Sequence, residues 1–184
     1  MMKMMMNRSV RFLALVGCVA LLLSAAVTRP MLKAVEGSFN ARLETLFPGE
    51  LFAVLDTPQG VYVEGFGVVF TARVNLVEAP GLGPFRPALK SSELATIRDR
   101  KVQRLPVLRD SMRAAMVAAA GILDTVPGDE QVVYGVNLFH HPYEDSKGLP
   151  AQIVMSASRK QLLTFQTQNK DKAALVAAIT VREF

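Results

Sequence analysis

Cysteine is nearly absent from this chain, since Cys18 is the single one in 184 residues. It sits in the apolar N-terminal stretch, so a domain built from the remainder holds no disulfide and depends on its core. Tryptophan is missing, and histidine occurs only as the adjacent pair His140 and His141. Any imidazole-based chemistry is therefore confined to one loop. No serine stands in a G-x-S-x-G elbow. Gly81-Leu82-Gly83 runs straight into Pro84 instead of opening a helix after a strand, which argues against a dinucleotide phosphate loop. There is no low-complexity tract and no second long apolar run. No cofactor is expected.

The one long apolar run lies at the start. Lys3, Arg8 and Arg11 precede it without an acid, Phe12 to Leu23 is apolar or small, and Ser24-Ala25-Ala26 supplies the small residues a signal peptidase requires. Residues 1–26 thus read as a secretory signal, cleaved after Ala26. Two alternatives use the same residues. Leu15-Val16-Gly17-Cys18 resembles a lipobox, in which Cys18 would carry lipid. The run Phe12–Val27 could also stay as an uncleaved anchor, though it is short of the ~20 residues a bilayer needs. Cleavage leaves 158 residues, the size of one domain. Three of the 21 basic residues and none of the 16 acids leave with the signal, so the formal charge falls from +5 to +2. That balance gives little reason to expect a nucleic-acid partner.

From Val27 onward the chain alternates helix and strand signals. Leu32, Val35, Phe39, Leu43 and Leu46 recur at helical spacing over residues 31–47, and Pro48-Gly49 ends the pattern. Leu51–Leu55 reads as a short strand, Asp56–Gly60 as a turn, and Val61–Val77 as a longer strand, together a β-hairpin. Gly65 and Gly67 interrupt the second strand, which suggests a bulge or a close backbone approach. Residues 78–88 form a Pro/Gly loop. Ser91 or Ser92 then opens a long helix with Leu94, Ile97, Leu105, Leu108, Met112, Met116, Ala119 and Leu123 on one stripe. Pro106 lies inside it and predicts a kink or break. Gln131–Phe139 and Ala151–Ala157 form a second hairpin around a polar loop, Ser158 caps a short helix, and Lys170–Ile179 is a terminal helix. The expectation is a single α+β domain over residues 27–184. About four mainly antiparallel strands would be covered by a long central helix and by N- and C-terminal helices. The element order is similar to that of roadblock or profilin-like domains, a likeness that implies no function.

The segment Gly60–Asn75 (GVYVEGFGVVFTARVN), the His140–Ile153 loop and the terminal Val181-Arg182-Glu183-Phe184 together resemble an uncharacterised group of exported bacterial proteins, a domain of unknown function. The resemblance implies export over most of the mature chain. It carries no activity and no residue roles.

Three groups of residues could carry function. His140, His141, Glu144 and Asp145 are the densest set of metal-ligand types, but adjacent histidines on an extended chain point to opposite sides, so a polar loop is the plainer explanation. Arg98, Arg100, Lys101, Arg104, Arg109 and Arg113 make the central helix basic. It lacks interleaved aromatics for base stacking and reads as a solvated face or a surface for an anionic partner. Phe66, Phe70, Phe139 and Phe165 read as core, whereas Phe85, in the Pro/Gly loop, is a candidate contact point. The leading expectation is a non-enzymatic periplasmic or envelope protein. It would bind another protein or an anionic surface through Phe85, Arg100, Arg104 and Arg109. The rivals are a metal-assisted hydrolase on the His140/His141 loop and a structural subunit of an envelope assembly. Oligomeric state is open.

Overall fold

Polar–apolar alternation shapes this chain into one sheet with a single covered face. The computed structural model describes residues 27–79, 88–168 and 172–184. Residues 1–26, expected to be a secretory signal and containing Cys18, lie outside the described residues, as does Phe85. Helix α1 (Arg29–Glu44) leads into strand β1 (Ala53–Val63), β2 (Gly67–Asn75), the long helix α2 (Ser91–Ile122), β3 (Gln131–Leu138), β4 (Gln152–Ser158), α3 (Arg159–Gln168), α4 (Lys172–Ala178) and β5 (Thr180–Glu183). The strands lie side by side in chain order. Three of the pairings are antiparallel, while β2 and β3 run parallel because α2 carries the chain back across the sheet between them.

The fold is α+β, as the pattern predicts, with five strands instead of four. The fifth is the C-terminal tail. The terminal helix stops at Ala178, and Thr180–Glu183 pairs with β4. Val68, Phe70, Ala72 and Val74 of β2 point to the same side as Val132, Tyr134, Val136 and Leu138 of β3, and all are buried. Phe39 of α1 meets Tyr134 edge-on at 4.6 Å, and Phe70 lies against the other side of that ring at 5.2 Å. From α2, every expected stripe residue from Ile97 to Leu123 is buried. Burial pushes the Tyr134 phenol well above its ordinary range, so it remains neutral in the core.

Several local expectations are corrected. Asp56–Gly60 is not the hairpin turn, because β1 runs through it. Its register slips at Val54/Asp56 and again at Asp56/Gln59. Pro58, which has no N–H to donate, is tolerated there because β1 is an edge strand with a bulge. The turn is Glu64–Phe66, so the single long strand expected over Val61–Val77 is two strands. Gly65 (φ 75°) belongs to that turn, and Phe66 is exposed at its tip instead of buried. Gly67 marks a close backbone approach, since a Cβ there would overlap the Gln131 carbonyl of β3. Helix α2 is unbroken at Pro106. Both Pro106 and Val102, whose carbonyl loses its helical donor, lie on the exposed side where water can replace the bond. Ser158 does cap α3, with its N–H and hydroxyl donating to Gln161 Oε1 at 3.0 and 2.9 Å.

The open edge of β1 is closed by α1. Gly60 N–H donates to Glu36 Oε1 at 2.9 Å, Arg29 donates to Gly60 O at 3.0 Å, and Arg29 and Glu36 pair at 2.8 Å. Backbone groups that could template another strand are thereby occupied. Burial alone would raise the Glu36 carboxyl above its ordinary 4.5. The Gly60 hydrogen bond and the charges of Arg29 and Lys33 outweigh it and hold the group below that value. A carboxyl depressed in the folded state adds stability above its unfolded pKa, which is lost as pH falls through the lower folded value. Glu36→Gln is therefore predicted to cost about 1–2 kcal/mol at neutral pH. It should also flatten the loss of stability on acidification below about pH 4.5, read from urea melts across pH. An unchanged acid limb would count against this assignment.

Candidate functional site

The basic residues of α2 do not form a solvated face. Counting from Ile97, the positions 97, 101, 104 and 108 are spaced four, three and four apart, so Lys101 and Arg104 fall on the stripe that faces the sheet. Lys101 is 1% exposed and Arg104 6%. A charge in that position must find partners, because an isolated buried ion is strongly disfavoured.

Lys101 finds them in the loop between β3 and β4. Its ammonium pairs with the buried Glu144 carboxylate, donates to Phe139 O at 3.1 Å, and lies 3.4 Å from His140 Nδ1. On its other side, His140 Nε2 lies 3.1 Å from Pro150 O. A carbonyl can only accept and an ammonium only donate, so the imidazole is protonated at Nε2 and accepts at Nδ1. His141 points away. It stacks on Tyr143 at 4.8 Å and meets Phe139 edge-on at 4.7 Å, with the Arg73 guanidinium 5.2 Å from the Phe139 ring centre. Burial, then the Glu144 charge, raises the Tyr143 phenol above its ordinary value.

The two histidines thus serve separate clusters, and Glu144 is committed to a lysine. Asp145 is exposed, with its Oδ1 accepting from Lys147 N–H at 3.1 Å. Among the described residues no three His, Cys, Asp or Glu side chains are grouped to hold a metal ion. The arrangement gives the hydrolase reading no support.

Arg104 reaches the other way. It donates to Leu51 O at 2.9 Å and to Leu76 O, pairs with Glu50, and lies 4.7 Å from the ring centre of Phe47. This one side chain ties α2 to the segment before β1 and to the end of β2. Arg109 makes a bidentate pair with Glu183 of β5 at 2.6 and 2.9 Å, Arg98 donates to Lys147 O at 2.8 Å, and Arg113 pairs with Asp110 at 3.0 Å. Of the three arginines expected to face a partner, only Arg100 is left exposed. Arg104 is buried and Arg109 is engaged by the C-terminal strand.

Arg100 is exposed and makes no ion pair with a described residue. It stands one turn from Arg104, at the rim of an open polar cleft of about 490 Å³. Gln103 joins it from α2, Phe47, Glu50 and Leu51 form the opposite wall, and Arg104 lines the base. Glu50 is 58% exposed, so the carboxylate that neutralises Arg104 is itself in contact with water. With Arg104 engaged by Leu51, Leu76 and Glu50, the cleft offers an incoming anionic group the Arg100 guanidinium and the Gln103 amide beside an aromatic wall, with the Glu50 carboxylate as its one acid. Glu50 and Gln103 carry no motif in sequence and become visible only when α2 is laid against the 47–51 segment.

Comparison of the chain with protein-family models, with curated proteins and with solved structures found no match.

Removing one member of a buried ion pair leaves the other uncompensated. Glu144→Leu and Lys101→Met are each predicted to cost about 3–5 kcal/mol in denaturant unfolding. The double replacement Lys101→Met/Glu144→Leu should recover most of that loss. Additive losses in the double variant would show that the two side chains do not act as a pair.

Proposed function

We propose that this protein is an exported, non-enzymatic binding module of the cell envelope, and that the cleft between α2 and residues 47–51 receives an acidic side chain of a partner protein. The observation that carries the proposal is Arg100, an accessible cation at the rim of a concave site whose base is a second guanidinium.

A flat anionic surface fits less well. Lys101 and Arg104 face inward, Arg98, Arg109 and Arg113 are engaged, and a formal charge of +2 on residues 27–184 offers little long-range attraction. Concavity favours a protruding side chain over a planar array of headgroups. Export rests on the basic and apolar pattern of residues 1–26. No helix among the described residues is long and apolar enough to cross a membrane. The mass of the exported chain distinguishes cleavage after Ala26 from an intact N-terminus or lipid on Cys18.

A glutamate-rich peptide is the direct probe, read by fluorescence anisotropy at low and moderate salt. Binding should weaken as salt rises and fall about tenfold or more in Arg100→Glu, whose thermal melt should stay near the wild-type value because the side chain makes no ion pair with a described residue. Phosphatidylglycerol vesicles should bind more weakly than the peptide. Equal peptide binding by wild type and Arg100→Glu would refute the cleft, and preference for the vesicles would replace the acidic peptide with a membrane.

A further inference from the structure

The helices pack on one face of the sheet; on the other, Thr71, Arg73 and Asn137 are exposed and Val69, Val133 and Val154 are partly exposed. The centre of this second face is apolar. Val61 of β1, Val69 of β2 and Val133 of β3 are register neighbours across three adjacent strands. On β4, Val154 lies diagonal to Val133 and opposite Gly135. Val61 is 54% exposed and Val63, at the end of β1, 47%. Two opposite charges stand at the two edges of this stripe. Asp56 of β1 lines a shallow depression with Thr71, Arg73 and Asn137 of the open face. Arg182 of β5 is paired with Val154 and shares its side of the sheet. Neither makes an ion pair with a described residue.

We infer that this face is the interface of a symmetric dimer, and that its occupant is a second copy of the chain. A two-fold axis running along the strands lays the β1 edge of one copy over the β5 edge of the other. Asp56 is thereby brought towards the partner copy's arginine-bearing edge, and Val133 meets its own counterpart. The charges at the two edges are complementary in that arrangement; within one chain Asp56 has Arg73 as its register neighbour on β2 without forming an ion pair with it, and Arg182 makes no ion pair with a described residue. On the β1 edge, Arg29 and Glu36 occupy the Gly60 backbone, which disfavours strand addition there. With strands about 4.8 Å apart and about 3.3 Å per residue, the face spans roughly 500–600 Å² in projection. That is the scale of the ~800 Å² of accessible surface each partner contributes to a standard interface. This inference does not depend on the Arg100 cleft, which lies on α2 and the 47–51 segment.

Sedimentation equilibrium of the exported chain over a range of micromolar concentrations tests it. A dimer is expected, and Val133→Lys should convert it to monomer with unchanged circular dichroism. Thr71→Lys, at an exposed position of the same face, gives the same reading should Val133→Lys perturb folding. Asp56→Arg and Arg182→Asp should each weaken the dimer about fivefold to tenfold, and the two together should restore it. A monomer at every concentration overturns the inference. A dimer indifferent to Val133→Lys and Thr71→Lys also overturns it, and failure of the double reversal to restore affinity overturns the two-fold arrangement.

Discussion

Two cations on the buried stripe of one helix organise this fold. Lys101 and Arg104 face inward where an apolar residue would be the ordinary choice, and desolvating them is costly unless every donor is used. Their partners come from segments without regular structure: Glu144, Phe139 and His140 from the β3–β4 loop, and Glu50 and Leu51 from the approach to β1. A hydrophobic stripe would hold α2 on the sheet equally well. It would not specify where two irregular segments go. Pairing with a single fixed ammonium or guanidinium does, because geometry and charge must both be met. The polar loop after β3 is therefore a built feature, although its composition suggests an ordinary solvated connection.

The same economy of polar groups recurs at the edges of the sheet. Gly60, beside which the Phe70 ring lies too close for a side chain, gives its N–H to Glu36 and accepts from Arg29. At the turn, Glu130 accepts from Tyr62 and from Gly65 N–H at 3.2 Å each, fastening the β1–β2 hairpin to the start of β3. Arg109 fastens β5 to α2. With no disulfide in the domain, these bonds between elements distant in sequence, laid over an aromatic core of Phe39, Phe70 and Tyr134, perform the cross-linking that cystine does in disulfide-stabilised domains.

Much of the fold is legible in the sequence because one-dimensional periodicity reports burial. The α2 stripe, the β3 and β4 alternation and the Ser158 cap all follow from spacing alone. The misplaced turn has a clear cause. Asp56-Thr57-Pro58-Gln59-Gly60 has turn chemistry, but an edge strand tolerates proline at a bulge, and only strand pairing shows that β1 continues through it. The fifth strand is hidden because Thr180–Glu183 is short and half polar. At the site, the limit is different. Lys101 and Arg104 sit on the apolar stripe in plain view at spacings of four and three, yet basic residues on a helix invite a reading as surface. The period carries the warning; the residue type does not. Glu50 and Gln103 have no local signal at all, and Glu144 stands out only beside the histidines, because the Lys101 partner that defines its role lies 43 residues away.

The claim that α2 turns its cations inward and leaves Arg100 to solvent is tested most directly by residue-level chemical labelling of the folded protein. An arginine-specific dicarbonyl and a lysine-specific acylating reagent would be used, with sites quantified by mass spectrometry. Arg100 should be modified rapidly, while Arg104 and Lys101 stay protected until denaturant unfolds the chain. Labelling of Lys101 and Arg104 in the native protein at the rate of Arg100 would contradict the inward placement.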